Sequence, residues 1–287
     1  MTRIALVLGG GASLGSYIGG AVSEIVRAVE GNRRRGKVVI DVITGASAGA
    51  LNAALAARCL SVNRNLLPWI EKAWVEAADA SVLLDPARPQ REGWLDVSAL
   101  DELTRALVDA APASDDGPSK AAAGSIRVGF TLANLYGVPY DRRYRFLNEP
   151  DRTFGTRVYT DDIRFELTKK SAAGTPVWAE VADAAVASAS FPFAFPPRPI
   201  GRSPADYPGA RLSVGPDGKV GMWYLDGGLF DNAPLGLAKD LVELDAGHRG
   251  ADRRYLFVEP ALETAGPGHH GFEGPPHTRG GMASALA

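Results

Sequence analysis

The 287-residue sequence is poor in the residues that build metal centres and covalent frameworks. It contains one cysteine, Cys59, so no internal disulfide forms and no CxxC pair is present for zinc or redox chemistry. Cys59 sits in an Ala/Leu-rich stretch and reads as a small core filler. The four histidines, His248, His269, His270 and His277, all fall late, three of them in a Gly/Pro-rich tail. With no HExxH and no clustered His/Asp set, neither a metal nor an organic cofactor is expected.

Charge of one sign is lacking as well. Lys and Arg total 31 against 33 Asp and Glu, a net charge of −2, so no global basic field holds nucleic acid or an anionic bilayer. Arg33-Arg34-Arg35 is the one like-charge run, read as a solvated turn or, alternatively, a headgroup contact. Long apolar runs are missing: no eighteen consecutive apolar residues occur, and Ile4–Leu8 is too short for a signal core. These absences predict a cytoplasmic protein whose membrane contact, if any, is peripheral.

What is present is alternation. Ile4–Leu8 is a continuous apolar run, as in a strand buried on both faces, followed by glycines 9–11 and a helical pattern from Leu14 to Glu30. Lys37–Thr44 repeats the strand pattern and Ala48–Leu60 the helical one. Strand, helix, strand, helix predicts an α/β protein with a mostly parallel central sheet. Further helices are expected over Pro68–Ala80, Ser98–Ala111, Trp178–Ala189 and Leu235–Leu244. Short strands are expected over Ile126–Leu132, Tyr144–Leu147, Ile163–Leu167, Trp223–Leu225 and Tyr255–Val258. Residues 111–124 read as a surface loop and 191–199 as a proline-broken loop. The organisation expected is a catalytic domain over residues 1–262 and a tail or linker over 263–287.

Gly45-Ala46-Ser47-Ala48-Gly49 follows an apolar strand and opens an Ala-rich helix. A serine on such a turn takes strained backbone angles, and Gly45 and Gly49 let the chain pass closely. The turn lifts the hydroxyl to a helix N-terminus, where a developing oxyanion is favoured. Ser47 is therefore the candidate nucleophile.

Gly9-Gly10-Gly11 exposes backbone N–H groups without interference from Cβ atoms, which suits an oxyanion hole. A dinucleotide-binding turn competes, but the next glycine is Gly15, one residue late for GxGxxG, and no acidic residue ends the second strand. No Gly-Lys-Ser/Thr is present, which excludes a P-loop.

The base has two readings. Asp226 ends a short apolar strand, and Gly227 and Gly228 leave its carboxylate open, although Asp-Gly-Gly reads equally well as a plain turn. An ordinary aspartate is a weak base for serine, and apolar surroundings raise its pKa. His248 stands last in the order Ser, Asp, His, but in a polar Gly/Arg loop.

Taken together, the glycine loop, the Ser47 motif about 35 residues later, Asp226-Gly227-Gly228, Asp231-Asn232-x-Pro234 and the Ala187–Pro197 proline loop resemble the patatin-like phospholipase family. The resemblance covers roughly residues 4–260. It implies a three-layer α/β/α sandwich and hydrolysis of lipid or phospholipid acyl esters. It also implies Ser47 as nucleophile, Asp226 as base and Gly9, Gly10 and Gly11 as oxyanion hole. One departure stands out: the loop continues Ala12-Ser13-Leu14-Gly15, longer by one residue and without the usual basic residue. Phe191, Phe193, Phe195, Trp69 and Trp74 are candidates for an acyl site or for ordinary packing. A non-catalytic lipid-binding module of the same fold and a Rossmann-type nucleotide enzyme are the alternatives.

Overall fold

The computed structural model describes residues 1–11, 14–32, 38–78, 83, 95, 118–146, 149–168, 171, 176–245, 247 and 250–260. The expected helix over Ser98–Ala111, the Arg33–Arg35 turn, His248 and the 263–287 tail lie outside them.

The first half of the fold follows the sequence pattern closely. β1 (Thr2–Leu8), α1 (Gly15–Asn32), β2 (Val38–Gly45) and α2 (Ala48–Val62) form in order, and β1 pairs with β2 in parallel from Thr2↔Val38 to Leu8↔Gly45. The run expected over Pro68–Ala80 splits into α3 (Leu67–Glu71) and a π-helical turn over Lys72–Ala77. That widened turn carries Trp74, whose Nε1 donates to Asn52 Oδ1 at 2.9 Å while its ring lies against Gly15.

The middle of the chain departs from the expected pattern. The three short strands expected between 126 and 167 are two long ones, β3 (Ala122–Phe146) and β4 (Glu149–Thr168), paired antiparallel along their lengths. Residues 122–124, read as loop, already belong to β3. After α4 (Pro176–Ser188) comes β5 (Arg198–Arg202), which the two prolines before it hid in sequence. β6 (Val220–Asp226), α5 (Leu235–Glu243) and β7 (Asp252–Val258) complete the chain.

The sheet runs β5-β6-β3-β2-β1-β7, with β4 on β3. The β7–β1, β1–β2 and β2–β3 pairings are parallel; β3–β4, β3–β6 and β5–β6 are antiparallel, so the sheet is mixed. Alternation along β1 sorts the two faces. Ile4, Leu6 and Leu8 pack with α1, α2 and α4, whereas Ala5 and Val7 pack with Leu237, Ala238 and Leu241 of α5. Helices on both faces give the three-layer α/β architecture that the alternation predicts.

One register detail positions the site. β2 pairs with β3 up to Gly45↔Phe130, with β4 on the opposite edge of β3. At Leu132 and Ala133 β4 keeps its edge while β6 takes the edge β2 has left, with Asp226 opposite Leu132. β2 and β6 therefore point at each other head to head along one edge of β3, and their carboxyl ends meet.

Candidate active site

Ser47 stands just beyond the end of β2 with φ 53° and ψ −126°, a region L-residues rarely occupy. The surroundings enforce it. A Cβ on Gly45 collides with the backbone of Gly49, and one on Gly49 collides with the carbonyl of Leu8. Ala46 N–H donates to Leu8 O at 3.1 Å, and Ala50 N–H to Ser47 O at 2.9 Å, so the turn is held by β1 on one side and α2 on the other.

Asp226 lies at the end of β6, 2% exposed. Ser47 Oγ donates to its Oδ2 at 2.5 Å, and Gly228 N–H donates to its Oδ1 at 2.8 Å. Burial is the dominant influence and pushes the Asp226 carboxyl up to about 6, opposed by those two hydrogen bonds. Gly227 allows the chain to leave Asp226 across β3, since any Cβ there meets the carbonyl of Thr131. The strand is braced one step earlier. Tyr224, on the same face as Asp226, donates its hydroxyl to Asp161 Oδ2 at 2.7 Å, beside Tyr207, which does the same at 2.7 Å.

The glycine loop lies against the serine turn. A Cβ on Gly10 is stopped by Asn232 Oδ1 and stands 3.0 Å from Ser47 Cβ. Gly9 N–H donates to Val258 O at 3.0 Å and Gly10 N–H to Asn232 O at 3.2 Å. The Gly11 N–H and the Ala48 N–H meet no acceptor among the described residues.

Three residues acquire roles that the sequence reading did not assign, although all lie in segments it singled out. Asn232 ties the Gly10 loop to the Asp226 loop, donating through Nδ2 to Gly10 O at 3.1 Å. Ser188, fully buried at the end of α4, accepts the Ser47 N–H on its Oγ at 3.0 Å. Ser190 accepts the Asp226 N–H on its carbonyl at 2.9 Å. A hydroxyl two residues from a carbonyl in a small-residue run gives no pattern by which sequence alone marks it.

The aromatic candidates separate. Trp69 and Phe195 are partly buried against the main core, and Trp74 is held by Asn52. Phe191 and Phe193 are exposed, Phe193 at 68% and with a positive φ of 69°. Cys59 is buried in α2, where desolvation pushes its thiol up to about 12 and makes it inert. Among the described residues no group of His, Cys, Asp and Glu is arranged to hold a metal ion, and no helix is long and apolar enough to cross a membrane.

A serine in a strained strand-to-helix turn, hydrogen-bonded to a buried aspartate and flanked by a glycine loop, is the arrangement around which sequence comparison can be read. Residues 6–239 match the Patatin family, described as patatin-like phospholipase. The chain belongs to the patatin-like phospholipase family. It is 30% identical over 255 residues to the uncharacterized membrane protein Rv3479 of Mycobacterium tuberculosis, covering 83% of this chain. The chain spans 22% of that relative's length. Among solved structures, VipD from Legionella pneumophila aligns with a TM-score of 0.34 and 14% identity, over 81% of this patatin-like chain and 47% of its own.

Proposed function

We propose that this protein is a serine hydrolase that cleaves fatty acyl esters of lipids, phospholipids among them, through a Ser47–Asp226 dyad. The observation that carries the reading is the 2.5 Å hydrogen bond from Ser47 Oγ to Asp226 Oδ2. It gives the carboxylate the reach a general base needs, and burial gives it a pKa near 6, closer to neutral than a free aspartate. Ser47 attacks the ester carbonyl, Asp226 takes the serine proton, and the same carboxyl returns it to the departing alcohol. Water then repeats the sequence on the acyl-enzyme.

For the oxyanion, Gly11 N–H and Ala48 N–H are the donors left open at the site. Gly10 N–H is held only by a 3.2 Å bond, which an oxyanion readily replaces. Gly9 contributes backbone shape, its own N–H being held by β7. Gly45, Gly49, Gly227 and Gly228 support both loops. The exposed Phe191 and Phe193, on the loop that follows Ser190, offer apolar surface to an acyl chain. No cofactor enters the scheme, and the protein is read as acting in the cytoplasm or peripherally at a membrane.

A fluorophosphonate probe tests the reading directly, because only an activated serine is labelled. The wild-type protein is expected to label and the folded Ser47→Ala variant not to; equal labelling of the two rejects Ser47. Absence of labelling and of ester turnover in the wild type leaves the non-catalytic lipid-binding reading in its place.

A further inference from the structure

β3 and β4 do not stop where the layered core stops. β3 leaves β2 at Phe130 and continues to Phe146, pairing with β4 from Val138↔Val158 to Tyr144↔Arg152, with a bridge from Tyr140 to Ala210 at the base of this stretch. Residues 141–145 and 151–157 are exposed on both faces. Because β2 and β3 are parallel, this two-stranded arm extends past the same carboxyl ends that carry Ser47 and the glycine loop. Residues 140–146 alone reach roughly 20 Å at about 3.4 Å per residue. A bare ribbon of this kind is marginal by itself in water, and its exposed aromatics add to the apolar surface it presents.

The two faces of the arm differ. Three charged side chains on the odd-numbered face are tied to nearby groups. Arg143 pairs with Asp151 at 2.9 Å, Asp141 with Arg211 at 3.3 Å, and Arg157 donates to the Tyr136 carbonyl at 2.7 Å. On the even-numbered face the register places Tyr140, Arg142, Tyr144, Arg152 and Phe154 together. Tyr144 and Phe154 meet edge to face at 5.5 Å and remain about half exposed, while Arg142 stands 5.8 Å over the Tyr140 ring.

We propose that the even-numbered face of the β3–β4 arm docks the protein on an anionic phospholipid surface. Arginine over tyrosine beside an exposed aromatic pair combines the two features that hold a protein at a bilayer surface. The aromatic rings enter the headgroup layer, and the guanidinium remains at the phosphate level. A chain with net charge −2 is not drawn to such a surface as a whole, so the attraction belongs to this local face. The proposal rests on the acyl ester hydrolase reading only for its purpose, which is to bring the Ser47 end of the sheet to its substrate. The docking itself is measurable without turnover.

The experiment is co-sedimentation of the full chain with phosphatidylcholine vesicles, with and without about one-third phosphatidylglycerol, alongside Arg142→Glu and Tyr144→Ser/Phe154→Ser variants. The wild type is expected to bind the anionic vesicles and to release in high salt. Each variant is expected to lose at least tenfold in partitioning, a cation near such a surface being worth roughly fivefold and its reversal more. Turnover of a soluble short-chain ester is expected to stay within about twofold of wild type in both, which shows the fold intact. Equal binding to neutral and anionic vesicles, no vesicle binding, or variants that bind like wild type each overturn the proposal. A change in oligomeric mass with vesicle binding unchanged assigns the face to a second copy of the chain and overturns it equally. Vesicle binding with an unlabelled Ser47 rejects the hydrolase reading while leaving the docking surface standing.

Discussion

Ser188 Oγ accepts the backbone N–H of Ser47 at 3.0 Å, joining the end of α4 to the strained turn that carries Ser47. Two residues later the Ser190 carbonyl accepts the Asp226 N–H at 2.9 Å. One short segment thus holds the backbones of both Ser47 and Asp226, and their separation is set by a third element that touches neither the Ser47 hydroxyl nor the Asp226 carboxylate.

In the proposed scheme this makes Ser188 a positioning residue. Ser188→Ala leaves the Ser47 N–H without its acceptor in a buried, strained turn, at about 1–3 kcal/mol of stability. We expect kcat to fall tenfold or more with KM within about twofold, because the change moves the nucleophile rather than the substrate. Thermal unfolding with steady-state kinetics checks it. A stability loss with unchanged kcat reduces Ser188 to a packing role.

Backbone strain at Ser47 gives a second measurement. At φ 53° and ψ −126°, glycine is relaxed where alanine is not. Ser47→Gly is expected to be more stable than Ser47→Ala by roughly 1–3 kcal/mol, with both variants inactive. Denaturant melts of the pair decide it; equal midpoints show that the turn holds no such strain.

Asp226→Asn separates chemistry from stability. Asparagine keeps the shape and a hydrogen bond to Ser47 but accepts no proton, so kcat should fall by several orders of magnitude. The same change removes a charge whose burial pushes the carboxyl up to about 6, so at pH 8 the variant is expected to be more stable by roughly 1–3 kcal/mol. His248→Ala should leave kcat unchanged. A crippled His248→Ala enzyme replaces the dyad with a triad.

The pH dependence has a definite sign. The base must be ionised, so kcat/KM should be flat above about pH 6 and fall tenfold per unit below it. Stability moves the other way. With the folded-state pKa raised above the ordinary 3.8, this group's contribution is fullest below pH 4 and is lost as pH rises through about 6. The Asp226→Asn variant should lack that slope. An acid limb centred near pH 4 contradicts the raised carboxyl.

Chelation is the simplest check. Incubation with EDTA followed by dialysis is expected to leave ester turnover unchanged, since the scheme routes no step through a metal. Loss of activity restored by one added divalent ion rejects the scheme.

The sequence by itself determined the pieces that local physics controls. An apolar run ending in glycine marked β1, and GxSxG between a strand and an Ala-rich helix marked Ser47, because each depends on residues adjacent in the chain. Asp226 was visible locally as a strand end that reads equally well as a base or a plain turn, and only the family resemblance singled it out as the base. The role proposed for it depends on two residues 179 positions apart being brought together where β2 and β6 meet on one edge of β3, and no local pattern encodes that meeting. For the same reason the long β3–β4 pair read as three short strands. Arg142, Arg143, Arg145 and Arg152 interrupt the hydrophobic pattern where the arm leaves the core, and their backbone is held by cross-strand hydrogen bonds rather than by burial. Which glycine N–H groups remain open was decided by Asn232 and Val258, which tertiary packing brings to the loop from more than 200 residues away. Residue type fixed what each position was able to do, and long-range pairing fixed which of those capacities were left free to act.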